Sequence, residues 1–337
     1  MGIGLKVPVR DAEKVKRKLL EIDAFQKGMK VKHRGDFVIF PLKREVRLGE
    51  RYRVVPEEFA EIERKGFEDC LRGFLDAEEL RKVHRSFDII GDIAIIEVPD
   101  ELERHEKRIA ECLASAHKNV KGVFKKAGAV KGELRTRELK HLWGRRNTTT
   151  LHREHGCLFK VDVAGVYFSP RLAYERQRIL QQVTDGEVIV DFFAGVGPFS
   201  ILLAKKRDVK VYAIDSNPRA YELLKENILL NRVTDRVIPL LGDCRQVSPR
   251  GVSRAVMNLP LHSHEYLDLA FDVVKRGVIH FYTVSREDDL YGSKVRLVLE
   301  TAKEKNRKAT ILNRRVVRPY APRRYHVVLD VKVEERT

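Results

Sequence analysis

The chain has 337 residues, 43% of them hydrophobic, and its 66 Lys and Arg outweigh 49 Asp and Glu to give a formal charge of +17. That length exceeds one comfortable core and predicts two or three domains. The lack of an apolar signal region or membrane-length apolar run argues against secretion and membrane spanning and for a cytoplasmic protein. The charge excess points to a polyanionic partner, nucleic acid first, with the ion-pair-rich surface of a heat-adapted protein as the alternative. Cys70, Cys112, Cys157 and Cys244 show no CxxC or CxH spacing. Neither a metal site nor a disulfide framework is therefore expected, and a reducing compartment is.

The first stretch reads as strand, helix and hairpin: Leu5, Val7 and Val9 alternate, Ala12, Val15, Leu19 and Leu20 repeat at helical spacing, and Arg34-Gly35-Asp36 marks a turn. A small α+β domain over residues 1–72 is expected. Two apolar strands around Gly91-Asp92 and a helix from about Pro99 to His117, with Ile109, Cys112 and Leu113 on one face, open a second α+β domain over 73–160. The basic residues after it (Lys118, Lys121, Lys125, Lys126, Lys131, Arg135, Arg137) read first as a solvated face. From there, over 161–337, strands and helices alternate as in a doubly wound α/β sheet. "VIVDFFAGVGPFSILLA" is strand, glycine turn and helix; "VKVYAID", "VIPLLGDC" and "RAVMNLP" supply the next three strands.

Asp191, Asp215 and Asp243 stand at three consecutive strand ends, the first followed by the turn Ala194-Gly195-Val196-Gly197-Pro198. Glycines there let a ligand approach backbone, the helix start offers free N–H groups, and a carboxylate at the second strand tip can accept both hydroxyls of a ribose. Ordinary helix capping by Asp215 and Asp243 is the alternative. The third glycine of a dinucleotide fingerprint is missing, which favours a cofactor without a pyrophosphate and resembles the class I S-adenosylmethionine-dependent methyltransferases. Asn258-Leu259-Pro260, at the end of the fourth strand, is then positioned to offer the Asn258 amide and the backbone before Pro260 to an acceptor base. A helix opened by Pro170 carries Arg171, Glu175 and Arg176 in its first turn and Leu172, Ile179, Leu180 and Val183 on its buried stripe. Glu175 reads either as a general base or as a partner of the helix dipole.

Asp162-Val163-Ala164, Val166 to Arg171, Glu175-Arg176, the turn Phe193 to Ser200, Asn258-Leu259-Pro260 and Tyr320-Ala321-Pro322-Arg323 together resemble the archaeal and eukaryotic tRNA (guanine-N1)-methyltransferase family, over most of residues 80–332. The resemblance implies a Rossmann-like class I methyltransferase domain behind two smaller N-terminal α+β domains, with S-adenosylmethionine as cofactor. The implied substrate is tRNA, methylated at the guanosine 3′ of the anticodon, and the first domain would dock on the outer corner of the folded tRNA. It further implies Glu175 as general base on guanine N1, Arg135 stabilising charge on O6, and Asn258 holding the base. Phe193, Gly195, Val196, Gly197, Asp215, Ser216, Asp243, Cys244 and Asn258 would surround the cofactor, and Tyr167, Arg171, Arg176 and Pro260 would meet the RNA.

The sequence departs from the family where Leu261 and His262 follow Asn-Leu-Pro in place of the usual Lys. Competing readings are an aminocarboxypropyl transferase or a methyltransferase of wybutosine synthesis, an RNA-binding module with a relic cofactor fold, and a DNA methyltransferase. No coiled-coil seam or protein partner is indicated, and a monomer without a metal is expected.

Overall fold

In the computed structural model the described residues are 2–61, 66–127 and 138–336, and the chain divides into two compact units, Met1–Gly73 and Phe74–Thr337. In the first, strands β1 (Gly2–Pro8), β2 (Lys32–Arg34), β3 (Phe37–Leu42) and β4 (Arg53–Glu57) form an antiparallel sheet in the order β2-β3-β1-β4. Helix α1 (Ala12–Glu21) packs its Val15 and Leu19 against Leu5, Val7, Val38 and Phe40; a short helix α2 (Phe67–Leu71) follows. The β2-β3 hairpin turns at Gly35-Asp36 as the sequence suggests. Val9 and Leu20 do not join the core: β1 ends at Pro8, placing Val9 in a 3-10 turn, and Leu20 lies one residue round the helix from Leu19, so both are exposed.

The second unit begins with α3 (Ala77–Lys82). A four-stranded sheet follows, β5 (Asp88–Ile90), β6 (Ile93–Ile96), β7 (Gly122–Lys126) and β8 (Leu139–Gly144), with α4 (Glu106–Ala116) connecting the parallel pair β6 and β7. Ile109, Cys112 and Leu113 are all buried on α4. Of the basic cluster, Lys118 and Lys121 are exposed as expected, Lys125 is instead buried with its ammonium 3.8 Å from Glu106, Lys126 pairs with Glu97, and Lys131, Arg135 and Arg137 lie outside the described residues. The expectation for the cysteines also needs correction. Cys70 and Cys112 are disulfide-bonded, whereas Cys157 and Cys244 are free and buried.

A hairpin of β9 (Thr149–Glu154) and β10 (Cys157–Asp162) leads to α5 (Ala173–Gln182), and then to the main sheet. Its strands are β11 (Val188–Asp191), β12 (Lys210–Asp215), β13 (Val237–Leu241), β14 (Arg254–Met257), β15 (Gly277–Arg286), β16 (Arg307–Ala321) and β17 (Arg324–Glu335). Their order is β13-β12-β11-β14-β15-β17-β16; the first five run parallel, and β17 is inserted antiparallel between β15 and β16. Helices α6 (Pro198–Lys206), α7 (Pro218–Asn231), the short α8 (Cys244–Val247), α9 (Leu267–Val273) and α10 (Gly292–Glu304) provide the connections. Apolar residues of α5, α6 and α7 fill one face of the sheet, and those of α9 and α10 the other. Strands buried on both faces must read as unbroken apolar runs, which is why VIV and AVM were legible. The strand order reverses between β11 and β14, and in open parallel sheets ligands bind at the carboxyl ends beside such a switch point.

Candidate active site

Gly195 and Gly197 hold positive φ angles of 56° and 87° in the turn after β11. A Cβ on Gly197 would stand 2.5 Å from Leu224 Cδ1, so the glycine brings α6 against α7. Pro198 occupies the first turn of α6, where its missing N–H costs nothing. The backbone N–H of Gly195 donates to Asp215 Oδ2 across 2.7 Å, and that of Asn217 to Oδ1 across 2.9 Å. The cap of α7 is Asn217, whose Oδ1 accepts from Arg219 N at 2.9 Å, so Asp215 is released from capping and faces the glycine turn. Burial pushes the Asp215 carboxyl up. Asp191, beneath the turn, is pushed up to about 7 by burial, aided by the neighbouring Asp215 charge, although Ser200 Oγ donates to it at 2.8 Å.

The other cofactor candidates divide by exposure. Ser216 is exposed at the strand tip. Val196 is fully buried, and its carbonyl accepts from Asn227 Nδ2, so only its backbone lines the turn. Asp243 does cap α8, accepting from Arg245 N at 2.9 Å. Cys244 is buried and its thiol pushed up to about 12, chiefly by burial, which keeps it protonated. Phe193 meets Tyr266 edge to face at 5.2 Å, and the Arg245 guanidinium lies 5.1 Å from that ring, making a wall that Tyr266 gave no sequence sign of joining. These residues fit an adenosine-type cofactor: a turn in which Gly195 presents no Cβ, and a fixed carboxylate whose oxygens each keep a second acceptor site.

Beyond β14, Asn258 Oδ1 is buried without a hydrogen-bond partner among the described residues. Ser263 Oγ, fully buried, accepts from Leu259 N at 3.1 Å and lies 2.9 Å from the Met257 carbonyl, fixing the loop that carries Asn258. The Leu259 carbonyl accepts from the N–H groups of His262 and Ser263, and the Pro260 carbonyl from Val284 N. The expected backbone acceptor immediately before Pro260 is therefore already used, and Pro260 itself is buried. His262 pairs with Glu265 at 2.8 Å.

Glu175 is 2% exposed, in α5. Its Oε2 accepts from Arg178 Nε at 2.9 Å and from the Tyr282 hydroxyl at 3.1 Å. Met257 pairs with Phe281, so Asn258 and Tyr282 are the next residues on neighbouring parallel strands. This brings Glu175 to the same sheet edge as the Asn258 amide. Behind it runs a buried polar seam: Arg178 pairs with both oxygens of Asp330, which meets His280 Nδ1 at 2.7 Å; His280 Nε2 lies 2.7 Å from Arg254 NH1, and Arg254 pairs with Glu187. Arginine can only donate, so His280 is neutral with its proton on Nδ1; burial accordingly holds its pKa down.

Arg176, expected along the RNA path, is 1% exposed and forms a bidentate pair with Glu154 at 2.6 Å, also donating to the Ser169 carbonyl. It is a buried anchor between α5 and β9, because a guanidinium taken out of water needs a carboxylate partner. Arg171 is exposed and bonds Asp88 at 2.6 Å, and the Tyr167 hydroxyl accepts from Arg318 at 3.3 Å. Arg135 lies outside the described residues. Among those residues, no helix is long and apolar enough to cross a membrane.

A doubly wound sheet in this order, with a glycine turn after its first strand and acids at the next two tips, defines a class I methyltransferase fold. The TRM5/TYW2 methyltransferase domain model matches residues 150–311, a TYW2 N-terminal domain model matches 67–148, and a tRNA methyltransferase 5 N-terminal domain model matches 4–48. The tRNA (guanine(37)-N(1))-methyltransferase Trm5b of Pyrococcus abyssi is 44% identical over 336 residues, 99% of each chain, and that of Methanocaldococcus jannaschii 38% identical over the full length of both. The crystal structure of the Pyrococcus abyssi protein superposes with a TM-score of 0.75, covering 99% of this chain and 100% of that one. A complex of aTrm5 with tRNALeu, 38% identical and covering 98% and 99%, gives 0.73. This chain belongs to the TRM5/TYW2 methyltransferase family, and it is an enzyme of the methyltransferase class.

Proposed function

We propose that this protein transfers a methyl group from S-adenosylmethionine to N1 of guanosine 37 of tRNA. The observation that carries the reading is the juxtaposition, at one sheet edge, of the buried Glu175 carboxylate with the unpartnered Asn258 Oδ1. The cofactor, held by the Gly195 turn, Asp215 and Asp243 against Phe193, supplies an activated methyl carbon. N1 of guanine must lose its proton as it gains the methyl: the N1–H bond breaks toward Glu175 Oε1, the N1 pair takes the methyl carbon, and the carbon–sulfur pair stays on sulfur. Arg135 would stabilise the charge shifted to O6, and Asn258 Oδ1 would accept a hydrogen bond from the base. Tyr167 and Arg171 would contact the RNA, and the first of three domains (1–72, 73–160, 161–337) would dock on the tRNA body.

A relative named tRNA(Phe) (4-demethylwyosine(37)-C(7)) aminocarboxypropyltransferase, 38% identical over 73% of this chain, supports a second reading, transfer of the aminocarboxypropyl group. The match over residues 4–48 to the tRNA methyltransferase 5 N-terminal domain favours methyl transfer. The test uses an unmodified tRNA transcript and S-adenosylmethionine labelled either in the methyl or in the carboxyl carbon. Label from the methyl batch alone, lost when G37 becomes A, is the expected result; label from the carboxyl batch would overturn it.

A further inference from the structure

The two oxygens of Glu175 are not equivalent. Oε2 holds two donors, Arg178 Nε and the Tyr282 hydroxyl. Oε1 is buried and has no hydrogen-bond partner among the described residues; the Arg315 guanidinium is 3.2 Å away but not aligned to donate. Arg315 is partly exposed and stacks 4.8 Å from the ring of Tyr174, itself 66% exposed, so it is the component of this cluster free to move aside. Arg178 and Tyr282 have no such freedom. Arg178 is clamped to Asp330, and Tyr282 is fully buried in the strand beside β14.

We infer that Arg178 and Tyr282 are positioning residues for the proton transfer: by occupying Oε2 they fix the Glu175 rotamer and leave Oε1 as the oxygen that takes the N1 proton. The inference rests on the reading of Glu175 as the base. A carboxylate held at one oxygen by two anchored donors cannot turn, so its other oxygen is set in place before the substrate arrives. The groups facing Glu175 from every side are Arg178 on its own helix, Tyr282 on β15, Arg315 on β16 and, through Arg178, Asp330 on β17 with His280 behind it; His326 stacks on Tyr282 at 5.5 Å. The neutral His280 is fixed between Arg254 and Asp330, so the charge that reaches Glu175 through the seam is that of Arg178.

The decisive variant is Tyr282→Phe, which removes one hydroxyl and keeps the ring. Single-turnover methylation of the transcript by the full chain, at saturating S-adenosylmethionine, is followed over a range of tRNA concentrations. We expect the rate at saturating tRNA to fall by about 10-fold in Tyr282→Phe, the loss of one hydrogen bond, with half-saturation by tRNA, cofactor affinity and melting temperature near those of the parent. Arg178→Lys, which keeps a donor, should lose less than Arg178→Gln. A rate at saturating tRNA equal in parent and Tyr282→Phe, or lowered only together with the melting temperature, would overturn the inference and leave the hydroxyl a packing role. Glu175→Gln is run alongside: a loss of about 100-fold or more is expected of a missing general base. A retained rate there would overturn the base assignment itself, a failure distinguishable from that of the positioning role.

Discussion

The backbone N–H of Gly195 bonds Asp215 Oδ2 across 2.7 Å, so the glycine turn after β11 and the tip of β12 are one fixed piece. Asp215→Ala removes both the proposed ribose acceptor and the tie that shapes the turn. Cofactor affinity, measured by calorimetry, should drop by about 10- to 100-fold, the loss of one or two charged hydrogen bonds. Because burial raises the Asp215 pKa, affinity in the parent should weaken as pH falls through that raised value and the carboxylate takes up a proton. In Asp215→Ala that acid sensitivity should disappear.

The two glycines of the turn should respond differently to a methyl group. Gly195→Ala meets only the Tyr167 carbonyl at 3.6 Å, so its cost is the positive φ alone, about 1 kcal/mol. Gly197→Ala adds contacts of 2.5 and 2.9 Å with Leu224 and Ile201 to the same strain, and should cost roughly 2–4 kcal/mol. Chemical denaturation of the two variants gives the comparison; equal losses would refute it.

Ser263→Ala leaves the half-buried Leu259 N–H and the buried Met257 carbonyl without the hydroxyl that joins them. A stability loss of about 1–3 kcal/mol is expected. The single-turnover rate should fall more than cofactor affinity does, since the affected loop carries Asn258 rather than the glycine turn. Thermal melts and calorimetry on the same preparation separate the two effects.

Burial opposes ionisation of Glu154, but the His152 and Arg176 contacts outweigh it and hold its pKa down at about 2. With the folded pKa below the unfolded one, this contribution is fully present above about pH 4.5 and is lost as pH falls toward 2. Glu154→Gln, which strands the buried Arg176, should cost about 3–5 kcal/mol at neutral pH and flatten the acid limb of stability between those values. Denaturant midpoints measured across that range check both statements.

The catalytic half of the fold was legible because a strand covered on both faces must be continuously apolar, and because a turn that needs two positive φ angles must spell glycine. Asp215 could be read from its spacing, but not that Asn217 would take over the capping. Arg176 was misread because arginine is normally a surface residue; its burial is decided by Glu154, on a hairpin whose packing no local pattern reports. Tyr282, His280 and Asp330 escaped for a related reason. They sit in strands that look like ordinary core, and each becomes a partner of α5 only through the sheet's pairing register.

The insertion of β17 between β15 and β16 also sets the order in which the pocket around Glu175 can form. Everything that surrounds Glu175 on the chain side of β16 is made early, yet Asp330, which clamps Arg178, arrives on the last strand of the sheet. A chain in which β17 has not yet paired therefore holds an open sheet edge at β15 and leaves Arg178 without its Asp330 clamp, so the pocket is completed only by the antiparallel insertion.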